Sequence, residues 1–170
     1  MTRHRVSTAV ALAIVCAVAR PVISQTRDRT ALAGLEGVGI IVEKVADAAG
    51  IHGLTRTALL IDAELALGQA GIRVLPMTEY LDAPSAPYLH INLDATATPT
   101  AGLFAYAIDV QLRQDVLSAI VADTELYDVV TWRVRQDVRT VEANQLREVR
   151  AQVRELVAAF VADYGAANTK

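Results

Sequence analysis

Three stretches of strict alternation constrain this chain more than any other feature. In "YLHINLD", Leu89, Ile91 and Leu93 point one way and His90, Asn92 and Asp94 the other. In "LFAYAIDVQLRQ", Phe104, Tyr106, Ile108, Val110 and Leu112 share a face opposite Asp109, Gln111 and Arg113. In "YDVVTWRVRQDV", Val130, Trp132, Val134 and Val138 oppose Arg133, Arg135 and Asp137. Side chains of a strand alternate between faces, so each stretch predicts a strand with one core face and one wetter face. The joining segments, "ATATPTAG" and the region around "VADTE", are turn-rich, which predicts an antiparallel meander.

The remaining elements follow from local chemistry. "VGIIVEKV", Val38 to Val45, is β-branched and apolar and predicts a strand buried on at least one face. After the loop "ADAAGIHG", Thr55 is placed to cap a helix, "RTALLIDAELALGQA", with Ala58, Ile61 and Leu65 at helical spacing. Gly71 suits its left-handed C-terminal cap. Ile72 to Leu75 read as a short strand stopped by Pro76, and Pro76 to Pro87 as a loop. "NQLREVRAQVRELVAAFVADY" predicts an amphipathic helix capped by Asn144, with the apolar stripe Leu146, Val149, Val153, Leu156, Phe160 and Tyr164. The order β-α-β-β-β-β-α predicts an α+β fold: a two-layer sandwich in which a mostly antiparallel sheet carries two helices on one face.

The succession "GLEGVGIIVEKV", "GLTRTALLIDAELALGQAGIRVL", "PYLHINLD", "GLFAYAIDVQL", "VVTWRVR" and "LREVRAQVRELVAAFVADY" resembles a group of small exported bacterial proteins of unassigned function. The resemblance runs over nearly the whole chain beyond residue 24. In that group a glycine-rich stretch follows the Thr-Trp pair; here "RVRQDVRTVEA" stands in its place. In element order alone the chain is similar to the lipopolysaccharide-assembly lipoprotein and related envelope auxiliary proteins. That likeness implies a structural or binding role, and it carries no motif and no functional residue.

The N-terminus reads as an address. Arg3, His4 and Arg5 precede an apolar run from Val6 to Ala19, broken by Arg20 and Pro21, the layout of a secretory signal peptide. The run falls short of the roughly 20 apolar residues of a membrane-spanning helix. Val22 and Ser24 place cleavage between Ser24 and Gln25, with a cut after Ala19 as the alternative. Cys16 invites a lipoprotein reading, but Val15 before it is bulky where a small residue is wanted. The expected organisation is a signal peptide over 1–24, a flexible lead-in over 25–34 and one domain over 35–168, periplasmic or secreted, with no transmembrane anchor after cleavage. Loss of Arg3, Arg5 and Arg20 from 16 basic residues leaves 13 against 19 acidic ones, a net charge of −6. An acidic domain without a basic run argues against nucleic-acid binding, which relies on phosphate neutralisation. The only cysteine leaves with the leader, and with it any disulfide or thiolate chemistry.

No motif calls for a catalytic residue, a metal or a cofactor. Ser85 and Ser118 lie outside any Gly-x-Ser-x-Gly setting and read as loop residues. His52 reads as a turn residue, and His90 with Asn92 and Asp94 as a solvated strand face. Asp62 and Glu64, two apart on a helix, diverge. Gly34, Gly37 and Gly39 precede a strand and do not join one to a helix, so they fit no dinucleotide fingerprint. Carboxylate pairs of a hydrolase are not visible across strands from sequence, and that reading ranks last.

The wetter sheet face is the candidate site. Arg113, Arg133 and Arg135 share it, with Asp109 expected opposite or diagonal to Arg133 as a neutralising partner. Ile41, Val45, Ala105, Ala107, Tyr127 and Val129 also fall on outward positions. If they adjoin, they form an apolar patch rimmed by charge, the mark of an interaction surface. The expected role is a non-catalytic binding or assembly protein of the bacterial cell envelope. It would meet a protein partner, or its own copy, through an open sheet face or edge. The alternative is a small-ligand or lipid carrier with a pocket between sheet and helices near Phe104, Tyr106, Trp132 and Phe160.

Overall fold

A computed structural model describes residues 23–26, 29–50 and 52–169. Cys16 and nearly all of the expected leader lie outside these residues. The strands are β1 (Ile23–Thr26), β2 (Gly39–Val42), β3 (Tyr88–Ala97), β4 (Leu103–Leu117) and β5 (Glu125–Glu142). The helices are α1 (Asp47–Gly50), α2 (Arg56–Gln69), α3 (Met77–Tyr80) and α4 (Leu146–Ala167), with 3-10 turns at Arg29–Leu32 and Ala143–Gln145. One sheet runs in the order β1-β5-β4-β3-β2, antiparallel throughout except for the β2–β3 pair. Helices α2 and α4 pack on one face, so the fold is the expected two-layer α+β sandwich.

Core and alternation agree over β3 and β4. Leu89, Ile91, Leu93, Phe104, Tyr106, Ile108, Val110 and Leu112 are buried in the cluster shared with the helices. Helix α4 buries its expected stripe from Leu146 to Phe160, and Tyr164 at its end is half-buried, its hydroxyl donating to the Leu35 carbonyl at 2.5 Å. Thr55 caps α2 as expected, its hydroxyl accepting from Ala58 N at 3.2 Å. Beyond α2, Gly71 adopts φ +73°, in the left-handed region, and Ile72 N donates to Leu67 O at 2.9 Å, the 6→1 bond of a Schellman end.

Several expectations are corrected. Helix α2 buries Leu59, Ala63 and Leu67, leaving Ile61 and Leu65 exposed. The helix is apolar almost all round, so spacing alone did not select the core phase. Of the strand expected over Ile72 to Leu75, only the parallel bridge Val38↔Val74 forms. Asn144 lies in the 3-10 turn before α4, whose N-cap position is Gln145 without a side-chain bond. The described residues of the lead-in expected over 25–34 are built into the fold. Part of it pairs in β1, Leu32 is fully buried, and Arg29 Nε bonds Asp163 Oδ1 at 2.9 Å.

The glycines Gly37 and Gly39 have a packing role. A Cβ at Gly37 would lie 2.7 Å from the Arg73 carbonyl oxygen, and one at Gly39 would lie 2.7 Å from Tyr80 Cδ1. Gly39 alternates with Ile41 and Glu43, so Tyr80 of α3 covers that corner of the face opposite α2 and α4.

An ion pair fastens the two long helices. Arg150 donates from Nε to Asp62 Oδ2 at 2.6 Å and from NH2 to Oδ1 at 2.8 Å. This hydrogen bonding holds the Asp62 carboxyl below its ordinary value of 3.8. A depressed carboxyl pKa contributes stability above the unfolded value, and that contribution disappears as pH falls through the folded one. The stability advantage of the wild type over Asp62→Asn is therefore expected to be full at neutral pH and to shrink below about pH 4. Urea unfolding of both proteins from pH 7 to pH 3 checks this; a constant difference would show that the pair adds nothing through ionisation.

Candidate interaction surface

Bulges in β5 decide which side chains face outward. Against β4, the register shifts between Tyr106 and Ile108, between Leu112 and Arg113, and between Gln114 and Val116. An extra residue in one strand reverses the facing of everything beyond it. Trp132 pairs with Leu112 but Val130 pairs with Arg113, so Thr131 is the extra residue. Val130 therefore joins the open face and Val129 falls opposite Gln114, on the side of Leu112. At the other end, Ala107 faces both Asp137 and Val138, and Val138 is 70% exposed. Val130 and Val138, expected in the core, are both outward, and Val129, expected outward, is not.

The candidate residues consequently do not adjoin as one patch. Val45 is buried in the core next to α1, because β2 ends at Val42 and the chain turns inward. Ile41, Ala105 and Ala107 are half-buried on the open face. Between Ala107 and the far end of the sheet runs a ladder of polar side chains. Tyr88 Oη donates to Asp128, whose other oxygen takes Arg113 NH1 at 2.7 Å; Arg113 Nε donates to Gln111 Oε1 at 2.9 Å. Gln111 Nε2 donates to Asp109 Oδ2 at 3.0 Å, and Arg133 Nε donates to Asp109 Oδ1 at 2.9 Å. Burial, then the bond to Asp128, pushes the Tyr88 hydroxyl up to about 12. Asp109 lies opposite Arg135 and diagonal to Arg133, as expected. Arg135 meets Asp137 at 3.6 Å. All three arginines of the face thus have acidic partners, which leaves it a poor trap for an added anion.

The other candidates resolve as structural features. His90 Nε2 sits 2.9 Å from Glu43 Oε1, which holds the Glu43 carboxyl below its usual range, while Asn92 donates to Asp94 at 3.3 Å. Among the described residues no group of three or more His, Cys, Asp or Glu is placed to hold a metal ion. Ser85 Oγ accepts from Gln114 Nε2 at 3.2 Å. Of the aromatics expected around a carrier pocket, Trp132 and Phe160 are fully buried and meet edge to face at 5.2 Å, and Phe104 and Tyr106 are buried in the same core. A cavity of about 500 Å³ lies elsewhere, between residues 31–37 and the 73–87 loop, with Glu36, Glu79, Asp82 and Arg73 on its walls. Arg73 is engaged by Glu79.

A further group of exposed apolar side chains lies in the region that the sequence presents as a turn. Pairing of β3 with β4 ends at Tyr88↔Arg113, and β1 covers only Arg133 to Gln136 of β5. Beyond those limits β4 and β5 continue together from Gln114↔Val129 to Leu117↔Glu125 as a two-stranded hairpin. Its tip exposes Leu117 by 77% and Ile120 by 94%, with Val121, Leu126 and Tyr127 also exposed. The tip is built, with Ser118 Oγ accepting from Ile120 N at 3.2 Å and Val121 N at 3.0 Å, and Ser118 N donating to Thr124 O at 2.8 Å. The apolar run "VLSAIV", which breaks the alternation of the strand before it, is the sequence signal for this feature. Of the candidate residues, only Tyr127 and Val129 belong to the hairpin.

No protein-family model matches the chain, and no curated protein does. Solved structures similar to it include the PelC dodecamer from Paraburkholderia phytofirmans, with TM-score 0.47 and 16% identity over 85% of this chain and 97% of that one. The L103M variant of the same dodecamer gives TM-score 0.47 and 17% identity over 84% and 96%. Nothing about function follows from a likeness at that level. Among the described residues no helix is long and apolar enough to cross a membrane.

Proposed function

We propose that this chain is an exported, non-catalytic binding or assembly protein of the bacterial cell envelope, and that the β4–β5 hairpin is its binding element. The observation that carries this is the ordered hairpin tip, which holds Leu117, Ile120, Val121, Leu126 and Tyr127 in water beyond the end of the sheet. Apolar side chains clustered on a fixed projection mark a surface that is covered in use. Past Asp115, whose N–H is taken by the Ser85 carbonyl at 2.8 Å, the projecting hairpin is also a place where a strand can add. Export rests on the basic and apolar order of residues 3 to 21. Strand β1 favours the cut after Ala19, which leaves all its residues in place; a cut at Ser24 would remove Ile23 and Ser24, the partners of Gln136 and Arg135.

The test is the native mass of the protein in an envelope extract of its own host, for the wild type and for Ile120→Asp combined with Leu126→Asp. The wild type is expected in a species well above the monomer, and the double variant as a monomer of unchanged melting temperature. A complex that survives the double substitution would overturn the assignment of the hairpin. Intact mass on the same sample reports where the leader is cut.

A further inference from the structure

We infer that the hairpin docks on the α2–α4 face of a second copy, so that the chain assembles head to tail; this deepens the reading of the hairpin as the binding element and rests on it. The receiving face has its own exposed apolar pair. Ile61 is 54% and Leu65 57% exposed, one turn apart on the side of α2 away from Leu59, Ala63 and Leu67. Beside them, α4 carries Arg147, Arg150 and Arg154 at i, i+3 and i+7, which places them in one stripe. Arg150 fixes that stripe against α2, reaching Asp62 and, at 3.5 Å, the Ala58 carbonyl. Glu148 and Glu155 each follow an arginine by one residue and so lie about 100° round the helix. The α4 side of this face carries three arginines, of which Arg150 is paired with Asp62, and Glu64 flanks Ile61 on the side of α2 away from them.

The hairpin has the opposite balance. From Gln114 to Val129 it carries Asp115, Asp123, Glu125 and Asp128 and no lysine or arginine, and the neighbouring Arg113 is bonded to Asp128. Hairpin against hairpin would bring acids together, and helical face against helical face would bring arginines together. Only hairpin on helical face sets apolar surface on apolar surface with opposite charge around it. A contact between two different patches of one chain propagates, closing into a ring or continuing as a filament.

Two complementary half-sites test this with purified protein in light scattering at tens of micromolar. The first variant, Arg147→Glu with Arg154→Glu, spoils the helical face and keeps the hairpin. The second, Ile120→Asp with Leu126→Asp, spoils the hairpin and keeps the face. The wild type is expected as a species of several chains and each variant alone as a monomer, with association weakened at least tenfold. Mixed in equal amounts, the two variants should form a species of two chains and nothing larger, because one good contact remains. If the glutamates unfold the first variant, Arg147→Gln with Arg154→Gln takes its place. A mixture that stays monomeric, or a wild type that is itself a monomer, overturns head-to-tail assembly. If the arginine variant assembles as the wild type does while the hairpin variant does not, this inference falls and the hairpin keeps its role.

Discussion

Replacing Trp132 with alanine is expected to lower the free energy of unfolding by about 3–5 kcal/mol, the range for removing a large aromatic side chain from a packed core. Trp132 is fully buried, lies opposite Leu112 in the sheet, and presents its ring to Phe160 of α4. Two costs add: the lost burial with the cavity it leaves, and the loss of the indole donor that reaches Asp163 Oδ2 at 3.1 Å. Trp132→Phe separates them. It refills much of the volume but cannot donate, and is expected to cost about 1.5–3 kcal/mol, the range for a hydrogen bond to a charged group. Denaturant unfolding of both variants measures the difference. Near-wild-type stability of the alanine variant would contradict the packing of sheet on helix.

Phe160→Ala should cost a similar amount, about 3–5 kcal/mol, for a related reason. Phe160 is fully buried between Trp132 and Tyr164, at ring distances of 5.2 Å and 6.0 Å. Its loss would loosen α4 where Asp163 gathers Trp132 from the sheet and Arg29 from the N-terminal 3-10 turn. Double-mutant comparison with Trp132→Ala is expected to be less than additive, because the two residues fill one another's cavity. Full additivity would mean that the edge-to-face contact contributes nothing of its own.

Both predictions concern residues whose burial is legible in the amino-acid order. The candidate site was legible only in fragments. Arg133 and Asp109 were expected to meet and do. Tyr127 was expected outward and is. Val45, Val129, Val130 and Val138 were each placed on the wrong side, and the continuous apolar patch built on such placements does not form. The hairpin that replaces it was read as a turn, because nothing local says how far a strand runs past its neighbour.

The division has a physical cause. Over β3, β4 and α4 the sequence by itself determined which side chains are buried, since polar residues recur with the period of the element and leave one phase free for the core. In α2 apolar residues occupy nearly every phase, and contact with the sheet and with Arg150 of α4 chose Leu59, Ala63 and Leu67. In β5 the alternation is interrupted by bulges, and a bulge is defined only by the partner strand opposite it. Strand pairing therefore decided the facing of every residue beyond Thr131, the reach of the hairpin past Tyr88, and the exposure of Ile120 at its tip.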